Sequence, residues 1–241
     1  MQDWQTLLLA NGAVAIGAAI QGTVGFGMNL IALPLLLALD DNLAPVPLLI
    51  AHLALVLALS SVDWRRIDHD ALAVAMLGAV PGTVLGAAAI MAMNRTSFQL
   101  FTLAVLSLGI VATAMNFHVP RTRLTLGIAG VLSGFCGTST SVNGPPLALV
   151  MVGKSDLPSI RATLATFLLA STLLSLGALG IAGRINEAAI FSSAMLLPGV
   201  AVGLLLEKIA GRRVADKASP RIVFLVASIL ATSVFLHSIL S

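Results

Sequence analysis

The chain has 241 residues, of which 58% are hydrophobic and only 10% are charged, and its mean hydropathy is +1.03. A soluble domain usually carries about 25% charged residues, so the composition excludes a soluble globular protein and indicates an integral membrane protein. The pI near 9.8 comes from Lys and Arg in short loops, which report orientation in a membrane protein. We therefore expect no nucleic-acid partner.

Two further features limit the function classes. Cys136 is the single cysteine, which excludes an intrachain disulfide and a cysteine metal cluster. We expect no metal and no cofactor. No Lys or Arg precedes the first apolar run, so the N-terminus lacks the basic region of a cleavable signal peptide and is predicted to be the first membrane element.

Ten apolar segments are predicted, at 5–20, 29–39, 44–62, 71–93, 98–116, 124–133, 145–153, 161–182, 188–208 and 221–240. Most approach the roughly 20 residues that cross a bilayer core of about 30 Å. The exceptions are 5–20, 29–39, 124–133 and 145–153, which reach only about 13–24 Å at ~1.5 Å per residue. These short segments form two pairs, one around each of two polar interruptions.

The interruptions are glycine-rich and polar, and they occupy 21–29 and 133–146. Inside a bilayer, an interruption leaves backbone N–H and C=O groups unpaired, so it persists only where protein or a water-filled cavity satisfies them. Paired interruptions at corresponding positions of two halves are typical of the binding sites of secondary transporters.

The two halves of the chain share one pattern. Each has an interruption, a span, a span with a Pro-Gly-x-x-x-Gly motif, and a closing span; the motifs are Pro81 to Gly86 and Pro198 to Gly203. This pattern predicts an internal repeat within a single transmembrane domain, with copies at about 1–117 and 121–241. Pro81 and Pro198 are expected to kink or unwind their helices, with gating as a second role. The motif glycines suit helix packing.

The distribution of positive charge favours re-entrant hairpins. If each interrupted pair turns back, one side of the membrane holds Arg65, Arg66, Arg121, Arg123, Lys154, Arg161, Lys208, Arg212, Arg213, Lys217 and Arg221, and the other holds Arg95 and Arg184. If each pair crosses, the split is only eight to five, which fits the positive-inside rule less well. We therefore predict an all-α membrane protein of two inverted repeats, each a broken re-entrant helical hairpin plus three transmembrane helices. Both termini would lie outside the plasma (inner) membrane.

Hairpins from opposite faces can meet near the membrane midplane, where half-helices would begin near Asn29 and Pro145. Helix N-termini favour anions, glycines allow close backbone approach, and neutral side chains add donors. The candidate substrate-binding residues are Gln21, Gly22, Thr23, Gly25, Phe26, Gly27, Asn29, His52, Gly137, Thr138, Ser139, Thr140, Ser141, Asn143 and Gly144. Such a set suits a small oxyanion, although small residues also serve simply to pack helices closely.

Two candidates carry or can carry a charge. His52 lies near the middle of an apolar span, where an ionisable side chain is a functional candidate by default. It could couple protons or contact substrate, or it could be a neutral histidine bonded to a neighbouring helix. Arg161, at the mouth of the second hairpin, could steer an anion or merely anchor the topology.

Several of these residues resemble a known family. Gly25-Phe26-Gly27 followed by Pro34, the segment ending Asn143-Gly144-Pro145-Pro146, and Arg161-Ala162 resemble the sulfite exporter TauE/SafE family, membrane proteins associated with export of sulfite, sulfoacetate or related organosulfur anions. The similarity covers most of the chain and implies small-anion transport across the plasma membrane. Family members often have more glycine where this chain has 138–141.

The leading hypothesis is thus a secondary transporter that exports a small sulfur-containing anion by alternating access, in contact with the lipid bilayer and possible as a homo-oligomer. The alternative is an anion or small-solute channel with the glycine-rich tips as its filter. The sequence contains no His-Glu-x-x-His motif and no nucleophile-elbow motif, so enzyme activity is not expected.

Overall fold

The computed structural model describes residues 4–59, 64–114, 119–151, 157–217, 228–229, 232–234 and 236. The main helices within these residues are α1 (Trp4–Val24), α2 (Met28–Leu39), α3 (Val46–Leu59), α4 (His69–Ala92), α5 (Arg95–Ala114), α6 (Arg123–Thr140), α7 (Pro145–Met151), α8 (Leu157–Ile181) and α9 (Glu187–Lys217). Most of the predicted span 221–240, together with Lys154 and Arg221, lies outside the described residues.

Five helical segments are long and apolar enough to cross a membrane: Trp4–Thr23, Asp41–Leu59, His69–Ala92, Pro158–Ile181 and Glu187–Ile209. Large apolar side chains on their outer faces are strongly exposed, such as Leu77 at 75% and Ile181 at 93%. Exposed apolar surface of this extent suits contact with lipid rather than water. The described residues contain no strand, so the prediction of an all-helical membrane protein is confirmed.

Both interruptions are shorter than predicted. α1 continues to Val24 and α6 continues to Thr140, so only 25–27 and 141–144 lie outside helices. The expected short arms 5–20 and 124–133 were therefore wrong in length. Hydroxyls explain part of the difference: Ser139 donates to the Phe135 carbonyl at 2.6 Å and Thr140 to the Cys136 carbonyl at 2.8 Å, so these polar residues are paired inside a continuous helix.

The residual breaks have left-handed backbone. Gly25 and Gly27 have φ values of 99° and 114°, and Ser141, which caps the end of α6, has φ 66°. Glycine adopts such angles without steric cost, which explains why the first break falls at two glycines. The half-helices begin at Met28 and Pro145, as predicted, and Pro145 suits a first helical position because its missing N–H needs no partner there.

Glycines hold the interrupted helices against α4 and α9. A Cβ added to Gly82 of α4 would lie 2.1 Å from the Val131 carbonyl oxygen of α6, and one added to Gly203 of α9 would lie 2.6 Å from the Ala15 carbonyl oxygen of α1. The helix backbones therefore touch, which only small residues allow.

Both prolines lie inside continuous helices. Pro81 is in α4 and Pro198 is in α9, and each helix continues past its proline. Of the two effects expected at these prolines, local unwinding is therefore not found, and a kink stays a prediction. Both helices pack against two neighbours: α9 contacts α1 and α3, and α4 contacts α6 and α8.

The two ends of the helix bundle differ in charge. At one end, here called the basic end, Arg121 pairs with Asp68 and Arg123 with Asp70, and the Asp68 N–H donates to the Thr163 hydroxyl at 2.9 Å. These contacts bring the starts of α4, α6 and α8 together. Both α6 and α8, which precede and follow α7 in the chain, therefore begin at the basic end.

The other end, here called the vestibule end, collects the second set of charges. Arg95 pairs with Asp41, and Arg184 donates to the Ile90 carbonyl at 3.2 Å. Both α2 and α4 therefore end here, and α3 begins here after Pro45. Arg95 and Arg184 thus lie apart from Arg66, Arg121, Arg123 and Arg161, which is the separation that re-entrant hairpins require. The inverted repeat itself stays a prediction.

The partly buried ion pair between Asp68 and Arg121 at the basic end makes a pH-dependent contribution to stability. Burial raises the pKa of Asp68, but the Ala71 N–H and the Arg121 guanidinium outweigh this effect and hold the pKa below its ordinary value. A carboxylate with a lowered folded pKa adds stability above its ordinary pKa and loses that stability as the pH falls through the folded value. We expect Asp68→Asn to abolish this loss of stability at acidic pH, as measured by thermal unfolding between neutral and acidic pH.

The matched control is Asp70→Asn. Asp70 and Arg123 are 62% and 79% exposed, whereas Asp68 and Arg121 are only 23% and 19% exposed, and exposed pairs contribute little. Equal effects of the two substitutions on the acid side of the stability curve would contradict the assignment to Asp68.

Candidate functional site

A buried polar network joins α1, α3 and α8. The Gln21 Oε1 accepts from the Met28 N–H at 2.9 Å, which turns the Gln21 amide so that its Nε2 lies 2.9 Å from the Nε2 of His52. The amide N–H must donate here, so His52 Nε2 is an acceptor and the ring proton is on Nδ1, 3.3 Å from the Thr172 hydroxyl. In this conformation His52 is bonded on both sides, as a neutral histidine would be. Its role in substrate contact or proton coupling stays a prediction.

The two interruptions meet at this network. The Asn29 Nδ2 donates to the Ser141 carbonyl at 2.6 Å, which joins the first break to the second. The Asn143 Nδ2 lies 3.0 Å from the Ser171 hydroxyl and 3.2 Å from that of Thr172. All of these side chains are buried, so the tips of both interrupted pairs are held against the middle of α8.

A small cavity lies at the meeting point. Its volume is about 10 Å³ and it is lined by Gln21, Gly27, Asn29, Leu30, His52, Val142, Asn143, Gly144, Pro145 and Leu168. Six of these, Gln21, Gly27, Asn29, His52, Asn143 and Gly144, are predicted site residues. This space holds about one water molecule, so it has to widen before an oxyanion can enter. We call this space the central cavity.

A second cavity opens at the basic end. It has a volume of about 230 Å³, and its lining includes Gln21, Gly22, Gly25, Arg66 and Arg161. Gln21 and Leu168 line both this cavity and the central one, so these two side chains stand between them. The described residues that line it include two arginines and no carboxylate, which makes the cavity attractive to anions.

Arg161 also makes a structural contact. Its Nη2 donates to the Thr23 carbonyl at 2.5 Å, close to the end of α1. A cation at a helix C-terminus is favourable because the last carbonyls are unpaired and carry partial negative charge. Arg161 therefore lines the cavity at the basic end and at the same time ties the first interruption to α8. Its predicted role in steering an anion stays a prediction.

The vestibule end holds a wider cavity, of about 650 Å³. Its charged lining residues are Asp40, Asp41, Arg95 and Arg184, so formal charges balance there. Pro45 also lines it, and the Ser141 hydroxyl donates to the Pro45 carbonyl at 2.9 Å. The second interruption therefore contacts the wall of this cavity and separates it from the central one.

The remaining predicted residues do not line the central cavity. Thr23 donates to the Ala19 carbonyl, and Thr138 bonds to Ser175 at 2.8 Å. Gly22 and Gly137 allow close packing against Glu207 and Asn143 respectively. Ser139 and Thr140 are paired within α6, as described above. Their polar groups therefore serve the fold in this conformation.

Sequence reasoning missed Ser171 and Thr172. They are adjacent polar residues in the middle of the apolar α8, and both are fully buried. The signal that identified His52, a polar group at the depth of the bilayer centre, would also have identified this pair. Among the described residues, no group of three or more His, Cys, Asp or Glu side chains could hold a metal ion.

An all-helical membrane protein with a buried polar centre and a wider cavity towards each end has an architecture that suits transport. A family model described as sulfite exporter TauE/SafE matches residues 9–236, and the chain therefore belongs to the sulfite exporter TauE/SafE family. No curated protein and no solved structure matches the chain. The family is one of transporters rather than enzymes, and membership implies membrane transport of sulfite or related sulfur anions.

Proposed function

We propose that the protein exports a small sulfur oxyanion or organosulfonate across the plasma (inner) membrane by alternating access, and that the central cavity is its binding site. The observation that carries this proposal is the convergence of both interruptions on one buried polar cavity, with a wider cavity towards each end. Binding sites at the meeting point of discontinuous helices are typical of secondary transporters.

The chemistry of the centre suits an anion. α2 begins at Met28 beside the cavity, and the first N–H groups of a helix have no partner within it. Together with the positive end of the helix dipole, they favour negative charge. The described lining residues of the central cavity carry no fixed charge, so an anion would be held without being trapped. Arg66 and Arg161 would raise its local concentration at the basic end.

The packing of the helices supports two inverted repeats. The first interrupted helix, α1, packs against α9 of the second half, and α6 packs against α4 of the first half. α3 and α8, which carry His52 and Thr172, contact each other between them. The interrupted helix of each half thus packs against a helix of the other half. A tilt of one half would therefore move the interruption that belongs to the other half. Gly82 and Gly199 directly follow Pro81 and Pro198, so these prolines are placed to influence that tilt.

The membrane supplies the driving force. With the basic end in the cytoplasm, as the positive-inside rule requires, both chain termini face outward. An inside-negative potential then favours anion efflux by about 2.3 kcal/mol per charge per 100 mV. Export would need no bound cation, which agrees with the absence of Asp and Glu among the described lining residues of the central cavity.

Flux into proteoliposomes tests the proposal. We expect saturable, trans-stimulated flux of sulfite or a sulfonate in a screen that includes sulfite, sulfate, thiosulfate, sulfoacetate, taurine and simple carboxylates. Because the central cavity is narrow and lies between two wider ones, a channel is the competing function. Unsaturable flux far faster than carrier rates would establish the channel, and a lack of flux for every sulfur anion would refute both.

A further inference from the structure

We propose that the central cavity selects a sulfur oxyanion that also carries a hydrogen-bond donor, and that hydrogensulfite, rather than the sulfite dianion, is the species carried. This inference rests on the proposed export function and names the chemical form of its substrate.

The proposal starts from the orientation of Asn29. Its Nδ2 donates to the Ser141 carbonyl at 2.6 Å, and a carbonyl can only accept, so the amide cannot be turned around. The Oδ1 is consequently an acceptor. It is buried and has no hydrogen-bond partner within the protein, and Asn29 as a whole is only 4% exposed while lining the central cavity.

In this conformation, the other polar groups around the cavity leave this oxygen without a donor. The Gln21 amide is turned by the Met28 N–H so that it donates to His52, and the Asn143 amide donates to Ser171 and Thr172. Pro145 has no N–H to offer. A buried acceptor without a donor is costly, so the bound species is expected to supply the missing N–H or O–H.

The cavity therefore makes two demands on its ligand. The start of α2 favours negative charge, whereas the Asn29 Oδ1 requires a donor. Sulfite and sulfate dianions have only acceptor oxygens, and one of these would face the Asn29 oxygen. Hydrogensulfite has negative charge and one proton to donate. An ammonium sulfonate such as taurine shares this chemistry, but it is bulkier, and the small central cavity favours the smaller ion.

The proton then travels on the substrate, and His52 does not have to titrate. In the neutral form its Nε2 accepts from Gln21, and a proton added there would face the Gln21 amide N–H. Turning that amide would break the bond to the Met28 N–H at the start of α2. His52 is thus a positioning residue that holds Gln21, and through it the beginning of α2.

The test is a pH series in proteoliposomes with clamped membrane potential and fixed total sulfite. Sulfite loses its last proton near neutral pH, so flux should fall about tenfold per pH unit on the alkaline side of that ionisation, as the hydrogensulfite fraction falls. His52→Gln should lower the rate and keep the same profile. If the flux of His52→Gln no longer depended on pH, the titrating proton would belong to the histidine, and the proposal would be overturned.

Selectivity gives an independent measurement. Sulfate and thiosulfate, which have no donor over this pH range, should move at least tenfold more slowly than hydrogensulfite. Asn29→Thr introduces a hydroxyl that can donate as well as accept, so it should reduce the ratio of the hydrogensulfite rate to the sulfate rate. The same change at the exposed Asn42 should leave this ratio unchanged. Taurine compared with methanesulfonate, which has no donor, identifies whether an ammonium group can supply the donor.

The outcomes separate the two claims. Sulfite flux that does not depend on pH, or equal rates for sulfate and hydrogensulfite, would overturn the donor requirement and leave the export function standing. If taurine moved faster than hydrogensulfite, hydrogensulfite would be the wrong substrate, but the requirement for a hydrogen-bond donor would stand. A protein that moves no sulfur anion at any pH would refute the export function as well.

Discussion

Replacing Asn143 with Leu is expected to reduce sulfur-anion flux roughly 100-fold while the protein still inserts and folds. The Asn143 amide bonds to Ser171 and Thr172, and Thr172 in turn contacts His52. Leu removes both bonds and leaves two buried hydroxyls without this donor. At about 1–1.5 kcal/mol for each bond, the loss approaches 3 kcal/mol, and each 1.4 kcal/mol is a factor of ten.

The measurement is flux per folded protein, with size-exclusion chromatography to report folding. Asn29→Leu should behave in the same way because it separates the two interruptions at the Ser141 carbonyl. Asn42→Leu is the matched control, since Asn42 makes only exposed contacts with Asp40 near the vestibule. Full activity of Asn143→Leu and Asn29→Leu would remove these residues from the site.

The second large effect concerns the crossing of α4 and α6. A Cβ added to Gly134 would lie 2.3 Å from the Ala79 carbonyl oxygen and 2.9 Å from the Thr83 nitrogen. Both atoms are backbone, so the helices must move apart. Overpacking of this kind costs typically about 1–3 kcal/mol, and Gly134→Ala should lower the melting temperature in detergent by several degrees.

Gly177→Ala supplies the control for the same chemical change. Gly177 lies in α8 and has nothing within 4 Å of the added carbon, and alanine favours a helix by about 0.5–1 kcal/mol over glycine. This variant should therefore melt at the same temperature as the parent or slightly higher. If Gly134→Ala were as stable as Gly177→Ala, the close backbone contact between α4 and α6 would be incorrect.

Much of the fold could be predicted because membrane helices are encoded locally. Apolar runs identified α3, α4 and α8 within a few residues, since a span must be apolar over most of its length. They also identified the start of α9, which continues past the predicted end at 208 to Lys217. Helix ends at the interruptions were predicted less well. Whether Ser139 and Thr140 end a helix or continue it depends on whether their hydroxyls find carbonyls in the same helix, and composition does not reveal that.

The site was predicted in part for a related reason. His52 was identified because an ionisable group at the depth of an apolar span is costly and therefore informative. Gln21, Asn29 and Asn143 were identified because they lie in the glycine-rich interruptions, whose backbone groups need partners. Their partners Ser171 and Thr172 were not identified, since hydroxyls are common in membrane helices and can satisfy themselves on their own backbone. Which polar residues share a cavity depends on contacts between distant parts of the chain.

By itself, the sequence determined that this protein is an all-helical membrane protein with two interrupted helix pairs, because hydropathy and glycine content act on each segment separately. Only the tertiary structure decided that the interruptions meet, that Arg161 holds the end of α1, and that Asn29 leaves one oxygen without a partner. The physical reason is that hydrogen bonds between segments more than a hundred residues apart form only after the helices have packed, and packing is set by the glycine contacts of α4 and α9.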